Sequence, residues 1–270
     1  MSHTFYRPAP PLDALVEYVW ATDSYPAATP RERVLPTGSL SLVFHLGDQP
    51  VRVSDAPAHE LSSVGGAVLC GARTSPLLLD TSALGATVGV QFKPGGVRPF
   101  LDGGAEEVAE RAVALEALWG PGVRSMRERL LEELSLHGRT QLVEQFLVQR
   151  AQPRLEPQPA LRGALAAFEE RDLPAVSEVN RRTGLSPKRL LALFREHVGL
   201  SPKAYWRVRR FRSALEALES GKARGARLAA HHGYCDQAHY LREFRALAGS
   251  CPSDYLALRV PGSDHVSVRD

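Results

Sequence analysis

The strongest constraint on how this 270-residue chain folds is an internal repeat. Phe194, Gly199, Pro202 and Tyr205 are spaced by five, three and three residues, and Phe244, Gly249, Pro252 and Tyr255 repeat those spacings 50 residues later. The register extends upstream, where Ser186, Leu190, Leu191 and Arg195 are matched by Asp236, Tyr240, Leu241 and Arg245. Fixed residue types at fixed offsets mark two copies of one supersecondary unit. Each copy reads as helix, tight turn, helix. Val176–Thr183 is a short helix, Gly184 admits a left-handed turn, and Ser186 caps the next helix with Pro187 at its first position. In the second copy Arg227–His232 precedes Gly233, and Asp236 is the cap. Gly199 and Gly249 end the second helices, and Pro202 and Pro252 follow as stops. A short glycine-containing turn between two helices is the mark of a helix-turn-helix.

Charge placement sharpens the reading. The net charge is only +3, but residues 160–270 hold 19 Lys and Arg against 12 Asp and Glu, while residues 1–159 hold 14 against 18. Ten basic residues fall between Asn180 and Arg212 (Arg181, Arg182, Lys188, Arg189, Arg195, Lys203, Arg207, Arg209, Arg210 and Arg212), and within that window only Glu196 opposes them. Such a stretch suits a polyanion, because basic side chains displace the condensed counterions of a DNA duplex. Double-stranded DNA is therefore the expected partner.

The rest of the chain is ordinary soluble composition, with 44% hydrophobic and 23% charged residues. Met1–Pro11 holds no apolar run, and no stretch approaches the ~18–20 uninterrupted apolar residues of a spanning helix, so a cytoplasmic protein with no membrane partner is expected. Three distant cysteines, Cys70, Cys235 and Cys251, fit a reducing compartment. No GxGxxG, phosphate loop, GxSxG elbow or HExxH helix is present. No catalytic residue, metal ligand set or cofactor is expected. His231 and His232 are adjacent and so point to different helix faces. His45 lies on the polar phase of a strand, facing a barrel lumen or solvent, and Cys70 sits in an apolar strand where burial makes a thiol inert.

The cluster Pro153, Pro157 and Pro159 divides the chain. Residues 1–152 form one domain, 153–159 a semi-rigid linker, 160–260 a second domain and 261–270 a tail. In the first domain Leu40, Leu42, Phe44 and Leu46 alternate with polar or smaller neighbours, as do Val88, Val90 and Phe92. Val51–Val53, Ala67–Cys70 and Leu77–Leu79 are shorter strand candidates. Short strands broken by Gly and Pro predict a β-rich, cupin-like barrel or sandwich, whose interior would offer a place for a small-molecule effector. Residues 105–150 turn helical: Leu115, Leu118, Trp119, Met126, Leu130, Leu131 and Leu134, then Leu142, Val143, Phe146 and Leu147, fall at spacings of three and four. That apolar face packs on the barrel, or on a second copy of the chain as a homodimer. The fold class is thus α+β, with an all-α carboxy-terminal domain.

From Leu161 to Leu258 the sequence resembles the AraC/XylS family of bacterial transcription regulators, on the segments RTGLSPKRLLALFREHVGLSPKAYWRVRRF and AAHHGYCDQAHYLREFRALAGSCPSDY. The segments VLPTGSLSLVFHLG and GVQFKPGGVRPFL are similar to the amino-terminal half of a subset of these regulators. The resemblance implies seven helices, two helix-turn-helix motifs joined by one long helix over Pro202–Glu219, and RNA polymerase as a partner. It places Lys188, Leu191 and Ala192 at base-facing positions, with Arg189 and Arg195 beside them. Leu191 and Ala192 depart from the polar residues common there, and apolar side chains meet a thymine methyl but do not read guanine. In the second motif Gln237, His239, Leu241 and Arg242 face the groove. Arg242 can donate twice to guanine and Gln237 can pair with adenine. The alternative functions are a constitutive DNA-binding protein and an enzyme or small-molecule-binding protein with a fused helical module.

Overall fold

The computed structural model describes residues 3–25, 27, 29–55, 60–151, 159–170, 172–221, 224–260 and 262–268. Most of the proline-rich linker, 153–158, lies outside them. The amino-terminal strands are β1 His3–Tyr6, β2 Val16–Thr22, β3 Arg31–Val34, β4 Ser41–His45, β5 Val51–Ser54, β6 Ser62–Gly65, β7 Ala67–Cys70, β8 Leu77–Asp80, β9 Thr87–Phe92 and β10 Ala112–Ala114. Helices α1 Leu115–Trp119, α2 Gly122–Glu132 and α3 Leu136–Arg150 follow. The helical domain holds α4 Pro159–Ala167, α5 Val176–Thr183, α6 Pro187–Val198, α7 Pro202–Glu219, α8 Gly225–His231, α9 Gln237–Ala248 and α10 Pro252–Leu258, and the chain closes on β11 His265–Ser267.

Two antiparallel sheets form a sandwich: β1-β2-β9-β4-β7-β10 and β11-β3-β8-β5-β6. The first sheet shows why strand alternation places the cavity where it does. Leu42, Phe44, Val88, Val90 and Phe92 are buried toward the helices, where Phe44 meets Phe146 of α3 with ring centres 6.3 Å apart. Val143, Leu147, Met126 and Leu130 complete that layer. The apolar helical face is therefore satisfied within the chain, although Leu131 and Leu134 remain exposed. Residues 105–114 are not helical throughout: a 3₁₀ turn at Ala105–Glu107 precedes β10.

The alternate positions of the first sheet face the second. A bulge between Val16 and Tyr18 lets Val16 and Val19 share the helix side while Tyr18, Trp20 and Thr22 turn inward. Trp20 lies opposite Gly89, and a Cβ at Gly89 would fall 2.0 Å from the indole, so only glycine leaves room for that ring. Arg127 of α2 ties down the end of β4, donating to the carbonyls of His45 (2.8 Å) and Gly47 (2.6 Å).

One hydrophobic core runs from Leu12 to Val266 and crosses both domains. The terminal residues 262–268 are not a mere tail. β11 pairs with β3, Val266 is fully buried, and His265 bonds a buried glutamate, Glu32.

Candidate nucleic-acid interface and ligand cavity

The two motifs are built alike. In the first, Gly184 adopts φ +67° at the turn and the Ser186 hydroxyl accepts the Arg189 N–H at 3.2 Å. Leu190, Leu193 and Phe194 are fully buried, and Phe194 packs between Phe168 and Tyr205 at 5.7 and 5.5 Å. In the second, the Asp236 carboxylate accepts the His239 N–H at 2.6 Å, and Phe244 sits among Phe211, Tyr240 and Tyr255. Both second helices end on a left-handed glycine, Gly199 at φ +85° and Gly249 at φ +71°.

With the cores fixed, the opposite faces are set. On α6, Lys188, Arg189, Ala192 and Arg195 are exposed and Leu191 is half-buried. On α9, Gln237 and Arg242 are exposed, Leu241 is half-buried against the core, and His239 is half-buried. The His239 ring lies edge-on to Tyr234 at 5.5 Å and its Nδ1 accepts the Cys235 N–H at 3.4 Å. That nitrogen is committed to the turn, which leaves Nε2 as the atom able to meet a base.

Folding redistributes the basic run. Arg181 and Arg182 are bound by Glu178, at 2.7 and 2.8 Å, and Arg182 also meets Glu170 at 2.8 Å. Hydrogen bonds from both arginines hold the Glu178 carboxyl pKa down to about 2. Arg207 and Arg210 close on Glu243 at 2.8 and 3.4 Å, Arg209 on Glu169, and Arg212 on Asp264. The buried Arg210 guanidinium also stacks on Trp206 and Tyr234, 4.4 and 4.0 Å from their centres. Six of the ten cations are therefore answered by acids outside the sequence window, and Lys188, Arg189, Arg195 and Lys203 stand exposed.

Between the sheets lies a cavity of about 510 Å³. Val34, Val43, Val53 and Leu79 give it apolar walls, with Tyr18 and Trp20 alongside and Ser41, Thr87 and Gln91 as polar points. His45 is buried at its wall, and burial, aided by the nearby Arg127 charge, pushes its imidazole pKa down and favours the neutral ring. Cys70 also lines it, with burial pushing the thiol up. The roof is the helical domain itself. Arg212, Leu215, Glu216 and Glu219, one i, i+3, i+4, i+7 face of α7, close the cavity together with Tyr255 and residues 262–265. At the seam Tyr25 donates to Glu32 at 2.6 Å, and His265 Nδ1 lies 2.9 Å from the same carboxylate. Burial and the Glu32 charge push the Tyr25 phenol well above its usual range. Sequence reading names Tyr255 only as a repeat position and Arg212 only as part of the basic run, and none of these residues as a cavity roof; the available signal was the second helical stripe on α7, beside the core stripe Tyr205, Val208, Phe211 and Leu218.

A double helix-turn-helix domain seated on a hollow β domain has the architecture of a DNA-binding protein. A family model described as a helix-turn-helix domain matches residues 179–257, and one described as a domain of unknown function (DUF6597) matches residues 4–114. Among solved structures, ToxT from Vibrio cholerae shares 9% identity over 95% of this chain and 98% of its own, with a TM-score of 0.51. ToxT from Vibrio cholerae O395 bound to (E)-4-(8-methylnaphthalen-1-yl)but-3-enoic acid shares 8% identity over 88% of this chain and 97% of its own, TM-score 0.49. The C-terminal domain of AraT, a response regulator from Geobacillus stearothermophilus, shares 20% identity over 38% of this chain and 88% of its own, TM-score 0.35. No curated protein matches the chain. The carboxy-terminal domain is an AraC-type helix-turn-helix domain, and the chain has the two-domain fold of ToxT. Among the described residues no helix is long and apolar enough to cross a membrane, and no group of three metal-ligating side chains comes together.

Proposed function

We propose that this chain is an effector-responsive, sequence-specific regulator whose two motifs enter successive major grooves. The observation that carries the effector reading is the cavity of about 510 Å³ roofed by α7, because an occupant would touch the DNA-binding domain directly. The volume lies within the roughly 300–1,000 Å³ of small-molecule sites. The groove reading rests on α7, whose 18 residues span roughly 27 Å at ~1.5 Å per residue, against the ~34 Å that separates grooves one turn apart. On this reading Lys188, Arg189, Leu191, Ala192 and Arg195 face one groove, and Gln237, His239, Leu241 and Arg242 face the next. RNA polymerase and a second copy of the chain are the further partners.

A thermal-shift screen of small metabolites, followed by DNA binding with and without each stabiliser, tests the effector reading. A specific ligand at a hundredfold excess over its Kd adds about 2.7 kcal/mol to the folded state. The expected result is a stabiliser that also changes DNA affinity. A thorough negative would instead make the chain a constitutive regulator.

A further inference from the structure

We infer that each sheet of the sandwich carries one helix-turn-helix half, so that an occupant of the inter-sheet cavity re-spaces the two halves relative to one another. The inference rests on the effector reading of that cavity and says how occupancy would reach the DNA-binding surface.

The first half is seated on connections of the first sheet. The segment leaving β9 passes Gly95, where an added Cβ would lie 3.4 Å from Leu161 of α4, and then Arg98, whose Nε lies 3.6 Å from Glu196 of α6. The segment entering β10 brings the Ala105 carbonyl so close to Gly199 that a Cβ there would fall 2.9 Å from it. The second half is seated on the second sheet. A Cβ on Gly249, at the end of α9, would fall 2.8 Å from the Arg33 side chain of β3 and 3.2 Å from Pro76, next to β8. β11, the continuation of α10, pairs with β3 from His265 to Ser267 and is latched by His265 on Glu32 and Asp264 on Arg212. The cavity separates these two supports, with Val43 on one wall and Leu79 on the other. Packed layers shift as discrete bodies rather than deforming smoothly, so a wedge between the sheets moves the two seats apart, and α7 is the helix that joins the halves.

The test places nitroxide labels at Ser177→Cys on α5 and Ala246→Cys on α9, both exposed, with Cys235 and Cys251 replaced by serine. Val43→Phe and Leu79→Phe, one from each sheet, serve as built-in wedges in the full-length chain, with folding checked by circular dichroism. Either wedge should shift the label distance by about 1–2 Å or more, the scale of helix shifts in switching proteins. The paired substitution Asp264→Ala/His265→Ala should broaden the distance distribution without a wedge and abolish the wedge-induced shift. Folded wedges that leave the distance unchanged, or an unlatched chain whose distribution stays sharp, would overturn the inference. A metabolite that stabilises the protein yet leaves the distance unchanged would overturn it while the effector reading stands. Wedges that shift the distance when no metabolite stabilises the protein would support it while the effector reading falls.

Discussion

The two helix-turn-helix halves share a register and a core but differ in what surrounds them. Ser186 and Asp236 cap corresponding helices, Phe194 and Phe244 anchor them, and Gly199 and Gly249 end them. On the exposed face the pattern inverts. α6 carries Lys188 in its first turn and Ala192 at the middle, whereas α9 carries Ala238 and then Arg242 at those offsets. The neighbours differ too. Arg181 and Arg182 of the first half meet exposed carboxylates, while Arg210 lies buried under the second half with Glu243, Trp206 and Tyr234. Caps, core aromatics and stops are what folding requires of both copies. The groove face is freer to diverge, because Lys188, Ala192, Gln237 and Arg242 are exposed and none of them belongs to the buried core.

Substitutions at equivalent positions test how far the likeness extends. Phe194→Ala and Phe244→Ala should be the most damaging, each costing about 3–5 kcal/mol for a buried aromatic, and equal losses in chemical denaturation would show equivalent cores. Glu243→Ala should follow at about 2–3 kcal/mol, because it removes the charged partner of the buried Arg210. Glu178→Ala, against exposed arginines, should leave the denaturation midpoint unchanged, and comparable losses in the two would erase the contrast. On DNA, Arg242→Ala should lose about 1–3 kcal/mol of discrimination at particular base pairs, while Lys188→Ala weakens all sequences alike and lowers the salt slope by about one. Binding across randomised sites separates these outcomes. The caps come last: Ser186→Ala and Asp236→Ala should each cost about 1 kcal/mol.

Acid sensitivity bears on the seams of both halves. His197 in the first half and His232 in the second have pKa values lowered by burial first of all. Their unfolded value is about 6.5, so the unfolded chain binds protons first as pH falls. Stability should be whole above that value and decline as pH drops below it toward the folded values. His197→Gln and His232→Gln should each flatten part of the decline in a pH series of thermal unfolding, and an unchanged slope in both would remove burial as its cause.

The helical domain was legible because its signals are local. Caps, helix period and glycine stops lie within about 20 residues of one another, and the central helix matches the expected Pro202–Glu219. Strand β7 is equally plain as an apolar run, Ala67–Cys70. β3 was not, because Arg31–Val34 holds three charged residues, and Glu32 is buried only once folded, meeting Tyr25 and His265, the latter 233 residues away. β11 is three residues long, and its pairing with β3 joins residues more than 230 positions apart. The cavity wall was hidden for a related reason. Ser41, Val43 and His45 look like the exposed phase of a half-buried strand until the second sheet covers them. The basic run was overcounted because Glu169, Glu170, Glu178, Glu243 and Asp264 lie outside the window yet fold against it.

Selection of bound DNA from a random pool by the full-length chain, repeated with Arg242→Ala, tests the two-groove account most directly. The account predicts two elements centred about 10–10.5 base pairs apart, with the stronger base preference under α9 and only that preference relaxed by the substitution. A single short element, or two elements weakened equally by Arg242→Ala, would contradict it.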